Sequence, residues 1–75
     1  MTHRALPSLT ALRAFEATAR LRSAKLAAGE LSVTPTAISH QIRALEEQLG
    51  TPLFVRSVRQ LRPTPQGKQL FDDLQ

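Results

Sequence analysis

Residues 23–50, SAKLAAGELSVTPTAISHQIRALEEQLG, decide the fold because they encode two short helices joined by a polar turn. Apolar residues recur at spacings of three and four in both halves, which places one apolar stripe on each predicted helix. The small alanines of the first stripe let another backbone approach closely. The first stripe consists of Ala24, Ala27, Ala28 and Leu31, and the second of Ile38, Ile42, Leu45 and Leu49.

Capping signals define the ends of the second of these helices. Thr34 suits the N-cap, and Pro35 suits the first helical position, where a missing N–H costs nothing. Gly50 suits the left-handed residue after the helix, and Pro52 prevents the helix from continuing. Two short helices joined in this way predict a helix-turn-helix, a motif whose second helix enters the major groove of double-stranded DNA.

A further helix is predicted before this unit. Residues 1–7 are expected to form an N-terminal arm, Ser8 to cap the first helix, and Ser23 to cap the second. The predicted buried stripe of the first helix consists of Leu9, Leu12, Phe15 and Ala19.

A β-hairpin wing and a fourth helix are predicted after the third helix. Strands are expected at residues 53–55 and 60–62, with the tip of the hairpin at residues 57–59. Thr64 and Pro65 repeat the capping signal and open the fourth helix. The predicted fold class is therefore mainly α, a winged helix-turn-helix with a three-helix core and a β-hairpin wing.

Composition restricts the function. With 75 residues, of which 41% are hydrophobic, the chain can bury one small core but no enclosed substrate cavity beside it. A formal charge of +4 suits an anionic partner, although basic small proteins also bind membranes. There is no cysteine for disulfides or thiolate metal sites, and no apolar run approaches the ~20 residues of a membrane span. We expect a cytoplasmic protein that needs no cofactor or metal.

The polar residues are not arranged for catalysis. Ser39 and His40 are adjacent on a helix and do not face each other, so they form no nucleophile–base pair. The neighbouring acids Glu46 and Glu47 are interpreted as solvated charges. Two histidines without cysteine make no metal cluster. The sequence therefore predicts a binding protein rather than an enzyme.

Two motifs resemble those of a known family. AISHQIRALEEQLG at residues 37–50, and PLFVRS followed by RPTPQG within residues 52–67, look like the N-terminal DNA-binding domain of LysR-type transcriptional regulators. The opening LPSLTALRAFEA is similar to the branch that contains the glycine-cleavage activator. The resemblance implies a winged helix-turn-helix over residues 8–63 and the start of a dimerising linker helix over residues 64–75. The apolar residues predicted to dimerise on that helix, which the chain truncates, are Leu70, Phe71 and Leu74.

Some positions depart from the usual family pattern. Ala24 stands where the family usually has an aromatic residue in the core, and Leu21 or Leu26 is expected to compensate. Lys25 replaces a usual serine or threonine and is expected to contact a phosphate. His40 stands where arginine is frequent.

Two groups of residues are predicted to contact DNA. In the base-contact group, hydroxyls can hydrogen-bond to base edges and Pro35 can touch a thymine methyl. By resemblance, that group consists of Pro35, Thr36, Ser39 and His40. The backbone and wing group consists of Ser23, Lys25, Arg43, Arg56, Arg59 and Arg62.

Several of these residues have a structural alternative. Arg59, near the hairpin tip, is predicted to enter the minor groove, because narrow A·T-rich grooves attract arginine. Ser23 can instead serve only as an N-cap, and Arg43 can pair with an acid on its own helix. His40 and Arg62 can simply face solvent.

The resemblance implies sequence-specific binding to an interrupted inverted repeat in double-stranded DNA and regulation of transcription. A homodimer or tetramer is expected for the full-length protein, and a monomer or weak dimer for this chain. Members of the family usually carry a C-terminal effector domain, which this sequence lacks. A small-molecule effector would act only through that missing domain. The alternative is a winged-helix protein-interaction module that lacks specific DNA binding. Non-specific nucleic-acid binding is also open, but the three phenylalanines sit at apparent core positions, which argues against stacking on single-stranded RNA.

Overall fold

The computed structural model describes residues 7–56 and 61–75. Within them the elements follow the predicted order of three helices, a two-stranded antiparallel hairpin and a further helix. The helices are α1 (Leu9–Leu21), α2 (Ala24–Leu31), α3 (Pro35–Leu49) and α4 (Pro65–Asp73), and the strands are β1 (Phe54–Arg56) and β2 (Leu61–Pro63). Each strand begins and ends one residue later than predicted. Residues 1–6 of the expected arm and the predicted tip lie outside the described residues.

The helices begin where the sequence provides caps. Each predicted N-cap side chain accepts a hydrogen bond from the backbone N–H three residues further along. This satisfies one of the donors that a helix start leaves free. The four caps are Ser8, Ser23, Thr34 and Thr64. Gly50 follows α3 with a φ of 70°, as its position predicted.

The core lies where α1, α2 and α3 pack against one another and against Leu53 and Phe54, which form the base of the wing. Phe15 is fully buried at its centre, and its ring centroid lies 5.4 Å from that of Phe54 on β1. Alanines on α1 and α2 keep the helix backbones close, so one aromatic pair fills much of the space between helices and wing. The buried apolar residues are Ala11, Ala14, Phe15, Ala17, Ala27, Ala28, Ile38, Ile42, Leu45, Leu53 and Phe54.

Two apolar residues do not occupy the places that periodicity assigned to them. Leu9 is 71% exposed, because it is the first residue of α1 and the buried face of that helix runs instead through Ala11, Phe15 and Thr18. Leu49 is exposed because it ends α3 beyond the elements that cover Leu45.

Leu26 does not compensate for the missing aromatic residue. It is 57% exposed, because α2 turns its following alanines toward the core. Leu21, the other candidate, is half-buried, and Ala24 itself packs against the core. The core is therefore built on small residues at this point.

The start of α4 is attached directly to the base of the wing. The hydroxyl of Thr64 donates to the carbonyl of Pro52 at 2.8 Å, and its backbone N–H donates to the carbonyl of Leu53 at 2.9 Å. Gly67 lies so close to the same segment that an added Cβ would stand 2.1 Å from the Leu53 carbonyl oxygen. These contacts fix the direction in which α4 leaves the domain.

An exposed cluster of charges joins α1 to α2. Arg20 donates to Glu16 one turn earlier on α1 and to Glu30 on α2. The hydrogen bond from Arg20 lowers the pKa of the Glu30 carboxyl. Because all three groups face solvent, this cluster orients side chains more than it stabilises the fold.

Candidate nucleic-acid interface

The first half of α3 presents the predicted base-contact group on one exposed face. An α-helix turns by about 100° per residue, so residues 35, 36, 39, 40 and 43 share a sector of about 140° that does not overlap the buried side. That buried side consists of Ile38, Ile42 and Leu45. The structure therefore brings together Pro35, Thr36, Ser39, His40 and Arg43, of which Ser39 is half-buried and the others are exposed.

Thr34 and Thr36 have different surroundings although they flank the same proline. The Thr34 hydroxyl oxygen accepts from the backbone N–H of Ala37 at 3.0 Å and so serves the helix itself. Within the described residues the Thr36 side chain makes no hydrogen bond, and the residue is exposed. Of the two hydroxyls, that of Thr36 is thus open to an external partner.

Arg43 does not adopt the pairing that its helical neighbours allow. Within the described part of the chain it forms no ion pair with Glu46 or Glu47, and it is exposed. Its guanidinium therefore remains available to an anion, while Glu46 contacts the wing instead.

The second group begins at the start of α2. Ser23 accepts from the N–H of Leu26 at 3.0 Å, so its role as a cap is occupied, although its own proton remains able to donate. Lys25 is exposed one residue inside the helix. These two residues lie at the start of α2, whereas the base-contact group lies on α3, which follows the other end of α2.

The wing places its two described arginines on opposite faces. Arg62 lies directly across from Val55, and both are exposed on the outer face. Arg56 follows Phe54 by two residues and shares its face, which is turned toward the helices: Phe54 contacts Phe15 on α1, and Arg56 lies beside Glu46 on α3. Arg59 lies outside the described residues. No acidic residue occurs between positions 51 and 70, so the charged side chains of this segment are all basic.

Glu46 is the residue of this surface that sequence reasoning missed. Its carboxylate is only 16% exposed, and one oxygen accepts from the backbone N–H groups of Leu53 and Phe54 at 2.7 and 3.2 Å. The other oxygen lies 3.6 Å from the guanidinium of Arg56. The interpretation of Glu46 as a solvated charge is therefore wrong, because the chain folds back after α3 and places β1 beside it.

The predicted dimerisation residues form the apolar side of α4. Leu70 and Phe71 are half-buried against the core of their own domain, and Leu74 is 37% exposed at the end of the helix. Part of this side is thus used within the domain and part faces outward. Among the described residues, no group of His, Cys, Asp or Glu could hold a metal ion, and no helix is long and apolar enough to cross a membrane.

Comparison with known proteins places this arrangement among bacterial regulators. Residues 9–68 match the family described as bacterial regulatory helix-turn-helix proteins, lysR family. The chain is 55% identical over 69 residues to the HTH-type transcriptional regulator TrpI of Pseudomonas aeruginosa. It is 51% identical over 69 residues to the glycine cleavage system transcriptional activator of Escherichia coli K12. Each match covers 92% of this chain and 23% of the relative, so the chain spans about a quarter of their length.

Solved structures share the fold as well. The crystal structure of the BenM DBD/catB site 1 DNA complex superposes with a TM-score of 0.84 at 35% identity. That match covers 88% of this chain and 73% of the BenM chain. The predicted winged helix-turn-helix is thereby confirmed.

Proposed function

The chain belongs to the LysR family of bacterial regulatory helix-turn-helix proteins, and on that premise we propose that it binds double-stranded DNA sequence-specifically. The observation that supports this most strongly is the face of α3. Apart from the half-buried Ser39, its polar and cationic residues are exposed, while the caps and the core that hold the helix are satisfied internally. The similar BenM domain was crystallised with DNA.

The proposed mechanism separates positioning from reading. Lys25, Arg43 and Arg62 would contact phosphates, which fixes orientation without reading sequence. Thr36 and Ser39 would read base edges in the major groove, and Pro35 would touch a thymine methyl. His40 would reach a base edge or a phosphate from the same face. Arg59 would enter the minor groove next to the site.

The proposal extends to the longer protein of which this domain would be part. Residues 8–63 would form the DNA-binding unit and residues 64–75 the first turns of a linker helix. Two copies would bind the halves of an interrupted inverted repeat, one turn of DNA or about 34 Å apart. A full-length homodimer or tetramer in the bacterial cytoplasm would then regulate transcription in response to an effector bound by another domain. The domain would bind rather than catalyse.

Selection from a randomised pool of duplex DNA at moderate salt tests this function. We expect enrichment of an interrupted inverted repeat with A·T-rich flanks, and weaker enrichment for Arg59→Ala. Binding that enriches no sequence and falls steeply with salt would reduce the function to non-specific attraction. Absence of binding would favour the protein-interaction module.

Base readout and phosphate contact predict different consequences of substitution. Ser39→Ala is expected to relax the preference at one base position of each half-site, by about 1–3 kcal/mol in discrimination. Lys25→Gln is expected to weaken binding to all sequences alike and to lower the slope of log K against log salt by about 0.9. Repeating the selection and a salt titration with each variant measures both effects. An unchanged preference with Ser39→Ala would remove that residue from the readout.

The exposed part of the α4 apolar side predicts weak self-association. Leu70 and Phe71 already contact their own core, so little apolar surface remains for a partner. Sedimentation of the isolated chain at low micromolar concentration is expected to show monomer or a weak, concentration-dependent dimer. A tight dimer under these conditions would contradict this.

A further inference from the structure

Glu46 connects the helix that would read bases to the wing that would hold the DNA backbone. It lies on α3, while the groups that it contacts belong to β1 and to the residue just before it. One carboxylate oxygen is used by the two backbone N–H groups of Leu53 and Phe54. The carboxylate is therefore held in place by the backbone, independently of any charged partner.

The partner of the second oxygen is Arg56, whose side chain remains partly exposed to solvent. Arg56 lies 3.6 Å from Glu46, which is an ion pair without a close hydrogen bond. The Arg56 side chain is 46% exposed, whereas that of Glu46 is 16% exposed. A guanidinium has five N–H donors, so most of them remain available while its charge is attracted to a fixed point.

We propose that Glu46 is a positioning residue that holds Arg56 in register for a DNA phosphate beside the recognition face of α3. This inference rests on the proposed function. An arginine free to sample rotamers loses conformational entropy when it binds, whereas one held by Glu46 has lost part of that freedom already. The negative charge of Glu46 thus strengthens binding to an anion.

The proposal predicts a change opposite in sign to that expected from charge alone. Removing an acid from a DNA-binding domain should raise its affinity, because it removes repulsion from phosphates. Glu46→Gln keeps a carbonyl oxygen for the backbone N–H groups but loses the attraction to Arg56. We expect this variant to bind the selected duplex about three- to tenfold more weakly, with little change in the salt slope because Arg56 still reaches the phosphate.

Glu47→Gln is the matched control, because Glu47 is the next residue of α3, is exposed and forms no ion pair within the described residues. It changes the net charge equally, and we expect unchanged or up to about twofold tighter binding. Circular dichroism and thermal unfolding establish that each variant is folded. If Glu46→Gln binds as Glu47→Gln does, the positioning role is wrong.

A double-mutant cycle with Arg56→Gln tests whether the loss of affinity caused by Glu46→Gln depends on Arg56. In the Arg56→Gln background, Glu46→Gln is expected to cause no further loss beyond about twofold, because the group that it positions is absent. Equal losses in both backgrounds would overturn the proposal.

Arg56→Gln also provides a test should Glu46→Gln fail to fold, because it leaves the backbone hydrogen bonds of Glu46 intact. It is expected to lower the salt slope by about 0.9, and an unchanged slope would overturn the proposal. If the wild-type chain enriches no sequence in the selection, the proposed function itself is wrong. The variant comparisons above apply only when the wild type binds, so the two failures can be told apart.

Discussion

Replacing Phe15 by alanine is expected to lower the free energy of unfolding by about 3–5 kcal/mol. The side chain is fully buried and contacts the ring of Phe54, so its removal leaves a cavity between the helices and the wing. Small domains have about 0.05–0.15 kcal/mol of stability per residue, or about 4–11 kcal/mol for this length. Phe15→Ala would therefore remove a large share of the total, and urea unfolding measures it directly.

Leu9→Ala is the control for this substitution. Leu9 lies on the same helix but is 71% exposed, so we expect a change within about 0.5 kcal/mol. Comparable losses for Phe15→Ala and Leu9→Ala would mean that α1 packs with a different face toward the core.

Replacing Gly67 by alanine is expected to lower the free energy of unfolding by about 3 kcal/mol. The added methyl would meet the Leu53 carbonyl oxygen at 2.1 Å, and this neighbour is backbone rather than a flexible side chain. To relieve the clash, α4 must move away from the wing and give up the hydrogen bonds of Thr64 to residues 52 and 53. Thermal and urea unfolding report the loss of stability.

Gly29→Ala provides the opposite result as a control. Gly29 lies in α2, and an added Cβ there meets nothing within 4 Å. Because glycine is a poor helix former, this variant is expected to be more stable by about 0.5–1 kcal/mol. Two glycine-to-alanine changes in helices of one small domain should thus shift stability in opposite directions. A stabilising effect at Gly67 would mean that α4 does not pack on the wing in this way.

The features that could be predicted from the sequence are local ones. An N-cap serine or threonine acts within three residues, so Ser8, Thr34 and Thr64 predict helix starts without knowledge of the rest of the fold. The same holds for Gly50, whose positive φ follows from the end of the helix itself. The face of α3 also follows from its own periodicity, because burial of Ile38 and Ile42 leaves the predicted base-contact group outside.

The features that could not be predicted depend on residues that are distant along the chain. Glu46 resembles Glu47 in sequence, and it differs only because β1 returns to lie beside it. Gly29 and Gly67 are likewise equivalent until α4 packs on residue 53. Leu9 fits an apolar stripe, but helical spacing alone does not say which end of a helix extends beyond its neighbours. These contacts require the tertiary arrangement.

Two helix ends also lacked a sequence signal. Arg22 and Ser32 adopt left-handed conformations with φ of 56° and 59° at the ends of α1 and α2, where glycine would be the usual residue. The turns between the helices are therefore imposed by packing rather than by local preference. Because these turns are short, the N-cap of the next helix follows within three residues of the end of the previous one.

The central claim is that the first half of α3 distinguishes one DNA sequence from another. Amide chemical shifts of the ¹⁵N-labelled chain, titrated with the selected duplex and with a scrambled duplex of equal length, test it most directly. We predict that both duplexes shift amides near Lys25 and Arg62, while only the selected duplex causes large shifts over residues 36–40. Identical shifts with both duplexes, or shifts confined to α4, would contradict sequence-specific recognition by α3.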